Sequence, residues 1–138
     1  MALKNVSEVF KHEFSRIMDQ IGSENYSSCR KISANLIRFS GMIDFDTGIF
    51  IGEVLEAIFS ETDMLINTHE VKETDRETIK VASSACISGL EKMKMDGVSD
   101  HDLQELLRDL RVVVTKTQFE YWDTSDTKAK RGIFGLEE

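Results

Sequence analysis

Proline is absent from the 138 residues, so no imino ring forces a break in any helix, and boundaries fall to glycines and polar clusters. Cysteine occurs only twice, too seldom for a disulfide-stapled scaffold or a four-thiolate metal site. Cys29 and Cys86 each fall on the apolar side of a helical pattern, where a pair of buried, reduced thiols is the expected outcome. No apolar run approaches the roughly 20 residues that span a bilayer. The start of the chain lacks the basic region and continuous apolar block of a secretory signal, and a cytoplasmic location is expected. Also missing are the Gly-x-Ser-x-Gly nucleophile elbow, a phosphate-binding glycine loop, a dinucleotide fingerprint and His-Glu-x-x-His.

What is present has the balance of an ordinary globular domain: 41% of residues are apolar and 30% charged, enough of the first for a core and of the second to keep it in solution. The formal net charge of −8 is unevenly spread. Residues 1–42 hold six cations and four anions, whereas residues 43–80 hold three cations and ten anions. A surface of that sign repels a phosphate backbone, which argues against nucleic acid as the partner.

Apolar residues recur at steps of three and four nearly throughout. Leu3, Val6, Phe10, Phe14, Ile17 and Ile21 make one helix face, ending near Gly22. Tyr26, Cys29, Ile32, Leu36 and Ile43 make a second, with Lys31 and Arg38 on the wet side. A third helix opens near Asp46 or Thr47, either of which can cap it, and carries Ile51, Val54, Leu55, Ile58, Phe59, Leu65 and Ile66. So wide a stripe predicts a helix with more than one neighbour. Gly48 and Gly52, four apart on that helix, predict a close backbone approach. A fourth helix is expected to start at a Thr74/Glu77 capping box and to present Ile79, Ala82, Cys86, Leu90 and Met93. Its small-residue run "VASSACISG" reads as tight packing, with a groove lined by Ser83, Ser84 and Ser88 as the competing reading. The fifth has the sharpest start: Gly97 as turn, Ser99 as N-cap, Asp102 three on, and Val98 against Leu103.

The expected fold is therefore all-α, a single-domain bundle of about five helices with antiparallel neighbours over residues 1–123, followed by a C-terminal linker and tail over 124–138. One stretch pulls both ways. Residues 112–122, "VVVTKTQFEYW", also alternate with period two. Helix is preferred because no other segment supplies a partner strand. As a helix this stretch is apolar on two sides, which makes Val113, Phe119 and Trp122 candidates for an oligomer interface. In the tail, Lys128, Lys130 and Arg131 precede Ile133, Phe134 and Leu136, an apolar–cationic segment expected to bind a groove of this chain, a second copy or another protein.

Candidate chemistry is thin. His12 follows Glu8 by four and His101 precedes Glu105 by four, but two ligands do not make a metal site. "DFDTG" begins like a calcium loop, yet Ile49 stands where the glycine belongs and Leu55 where the closing glutamate belongs. No catalytic residue, metal or cofactor is assigned. The expected role is a non-catalytic protein–protein interaction or self-assembly module, with a homo-oligomer, in particular a dimer, or another protein as partner and the membrane disfavoured. A small-molecule-binding or enzymatic bundle is the alternative. A helix-turn-helix regulator built on "MKMDGVSDHDLQELL" is a second, weakened by Asp100 and Asp102 at the end that would face phosphate.

Overall fold

The computed structural model describes residues 3–122, and every regular element among them is helical. Helix α1 runs Leu3–Gly22, α2 Tyr26–Met42, α3 Asp46–Thr68, α4 Glu73–Glu91 and α5 Asp100–Trp122, with a 3-10 turn at Met95–Gly97. Residues 112–122 lie wholly within α5, so the β-branched composition of that stretch yields to packing. The tail residues Lys128, Lys130, Arg131, Ile133, Phe134 and Leu136 lie outside the described residues.

The five helices form a closed ring. α1 packs on α2 and α4, α2 on α3, α3 on α5, and α5 on α4. Short connectors turn the chain back between α1 and α2 and between α2 and α3, so these neighbours run antiparallel. One core fills the ring: Val6, Phe10, Phe14, Ile17 and Ile21 from α1 meet Leu36, Ile51, Leu55, Ile58, Phe59, Ile79, Ile87, Leu90, Leu107, Leu110 and Val114. Phe10 holds Phe14 and Phe45 edge-on, at centroid distances of 5.9 and 5.8 Å, the geometry that ring quadrupoles favour.

The tightest seam is α2 against α3, and its cause is the glycine pair. A Cβ on Gly52 would stand 2.6 Å from Ile37 Cγ1 and 3.1 Å from the Ser33 carbonyl oxygen. On Gly48 it would press into Ser40 and Phe10. The small-residue run of α4 packs in the same manner: a Cβ on Gly89 would lie 2.8 Å from Leu106 of α5. Ser83 is fully buried in this packing.

Two helix starts differ from the sequence expectation. α3 is preceded by Phe45, which makes no side-chain cap bond, and Asp46 is already its first residue; there its carboxylate complements the helix dipole. α4 begins after Lys72, with Thr74 inside the first turn, so no Thr74/Glu77 box forms. The Lys72 backbone N–H instead donates to the Tyr121 hydroxyl oxygen at 2.7 Å, and that hydroxyl donates to Asp75 Oδ2 at 2.8 Å. A side chain from the end of α5 thus caps the start of α4. The α5 start is as expected: Ser99 Oγ accepts from the Asp102 N–H at 3.4 Å, and Val98 packs against the core.

Candidate interaction surface

Both thiols are sequestered. Cys29 and Cys86 are buried and unbridged, and burial pushes each thiol up to about 12; for Cys86 the nearby Asp109 carboxylate adds to the rise. Protonated thiols are poor nucleophiles. Tyr26 stacks on Phe59 at 6.2 Å, and burial, then Glu24, raises its hydroxyl's affinity for the proton. Among the described residues no hydrogen-bond partner reaches the buried hydroxyls of Tyr26, Ser40 and Ser83. His69 contacts Thr68 and presents its ring to Tyr121 and Trp122 at 6.0 and 6.4 Å. His101, Asp102 and Glu105 bring ligand atoms within 4.8 Å of one another on the exposed first two turns of α5, an ordinary acidic helix start.

The outer face of α5 is different in kind. Phe119 is 63% exposed, Val112 56% and Trp122 42%. With half-buried Thr115 they fall on one side of the helix, because steps of three and four return to the same face. Arg108, Arg111, Lys116 and Glu120 frame the shallow surface around Val112, Thr115 and Phe119. Three of these four charges are positive, in a chain whose formal net charge is −8. Arg111 also reaches Glu61 of α3 at 4.0 Å, across the weaker α3–α5 seam of the ring.

Of the interface candidates read from the sequence, Phe119 and Trp122 point outward. Val113 is half-buried and packs on the core, and the adjacent Val112 takes the exposed position. The signal for this was available: Val112 and Phe119 are seven apart with Thr115 three and four residues from them, a spacing that Val113 does not fit. The acidic residues Glu53, Glu70, Glu73 and Glu77 are exposed and Glu56, Glu61, Asp63 and Asp75 half-buried. Among the described residues no helix is long and apolar enough to cross a membrane.

This all-α five-helix architecture, with two buried thiols and a cation-framed apolar stripe on its last helix, was compared with known proteins. No family model, curated protein or solved structure matched the chain.

Proposed function

We propose that the protein is a non-catalytic interaction module that binds another protein surface through the outer face of α5. The observation that carries this reading is the stripe of Val112, Phe119 and Trp122, exposed on a helix whose opposite side already fills the core. Exposed aromatic residues aligned along one rigid helix face mark contact surfaces, and flanking arginines are common in them. The thiols and hydroxyls that would serve catalysis are buried away from this face, which supports binding rather than bond-making.

The test replaces Phe119 by photoreactive p-benzoylphenylalanine and irradiates the full chain in extract of its native host. Covalent adducts to protein are expected, and they should disappear when Val112→Asp is added. No adduct, or adducts indifferent to Val112→Asp, would contradict the reading.

A further inference from the structure

Along α5, Glu105, Arg108, Val112, Thr115, Phe119 and Trp122 advance by three, four, three, four and three, the spacing of a seam that faces another helix. What that seam fits rests on the reading of α5 as a docking surface. We infer that its partner is a second copy of this chain, with the two α5 helices antiparallel about a two-fold axis between residues 113 and 114.

In that register the seam complements itself. Val112 lies over Thr115 of the second copy. Phe119 receives the guanidinium of the second copy's Arg108 on its ring face, an arginine–aromatic stack. Trp122 meets Glu105, toward which its indole N–H can donate. On one flank Lys116 meets Asp109 of the second copy. Within one helix these two residues are seven apart, beyond the reach of paired neighbours three or four apart, and both are exposed. Every contact occurs twice, as an isologous interface requires.

Charge also sets the direction. In parallel helices the flanking positions would bring Arg111 against Lys116 of the other copy, like against like. The antiparallel arrangement places Arg111 beside neutral Gln118 and leaves it free to keep Glu61. A single helix pair buries less than the roughly 1,200 Å² of a standard interface, so a dissociation constant on the order of 0.1 mM is expected.

Sedimentation velocity of the full chain from about 10 µM to 1 mM brackets that value. The dimer fraction should rise with concentration. Lys116→Glu should weaken association by about tenfold, and adding Asp109→Lys to Lys116→Glu should restore it to near wild type. Circular dichroism checks that each variant keeps its helices. A monomer at every concentration, a double variant no better than the single one, or a dimer indifferent to Phe119→Asp would overturn the inference. If the full chain is monomeric while the Phe119 photo-adduct contains a different protein, the self-pairing is wrong and the docking surface stands. If there is neither dimer nor adduct, both are wrong.

Discussion

At the scale of single residues, space and protons decide the outcome. Gly52 has no room for a methyl group, because two of its three nearest neighbours are backbone atoms of α2 at 3.1 Å and cannot swing away. Gly52→Ala should cost about 1–3 kcal/mol in denaturant unfolding, whereas Gly22→Ala, with nothing within 4 Å, should be neutral or slightly stabilising. Asp44 holds a left-handed backbone, φ 55°, that an L side chain adopts at a cost. Asp44→Gly should relieve about 0.5–1 kcal/mol and raise the melting temperature by a few degrees. The two thiols make stability depend on pH. The folded chain keeps both protons up to about 12, while the unfolded chain releases them from the ordinary thiol range near 8.5. Their contribution is therefore complete below that range and is lost as pH climbs through it toward the folded values. Urea midpoints at pH 7.5 and 10 check this, with Cys29→Ala and Cys86→Ala each expected to flatten the decline. A thiol reagent at neutral pH should label the native protein far more slowly than the unfolded chain.

At the scale of elements, the helices were legible because their apolar periodicity is long and unbroken, and the α2–α3 contact was legible in the spacing of Gly48 and Gly52. The helix starts were less so. A capping residue is chosen by local competition that a distant side chain can enter, and at α4 that side chain is Tyr121, 49 residues beyond the Lys72 N–H it accepts from. No local rule reads such a bond. Tyr121→Phe removes it and leaves Asp75 without its hydroxyl donor, and a loss of about 1–2 kcal/mol is expected, with faster amide exchange in the first turn of α4. Ser99→Ala should cost less, about 0.5–1 kcal/mol, because its cap bond is long at 3.4 Å. The interface candidates were half legible. Period and exposure agree for Phe119 and Trp122, but of the three adjacent valines the core takes Val114, Val113 packs half-buried at its edge, and Val112, seven residues before Phe119, is the exposed one.

At the scale of the whole molecule, a ring of five helices closes around one core and spends nearly all of its large apolar side chains there. Among the described residues Met42, Phe50, Met64 and Val81 are exposed on α2, α3 and α4, whereas Val112, Phe119 and Trp122 line up along one face of α5. That arrangement separates stability from contact: Phe119→Asp and Val112→Asp alter residues that the core does not use, and each should leave the melting temperature within about 2 °C of wild type while abolishing association. The most direct measurement of the central claim, that two copies of the chain meet through the outer face of α5, is a two-dimensional amide NMR dilution series on the full chain. The account predicts concentration-dependent shifts concentrated at residues 105–122 on the exposed side of α5, absent from Phe119→Asp. Shifts that do not change with concentration, or that centre on the acidic side of α3, would contradict it.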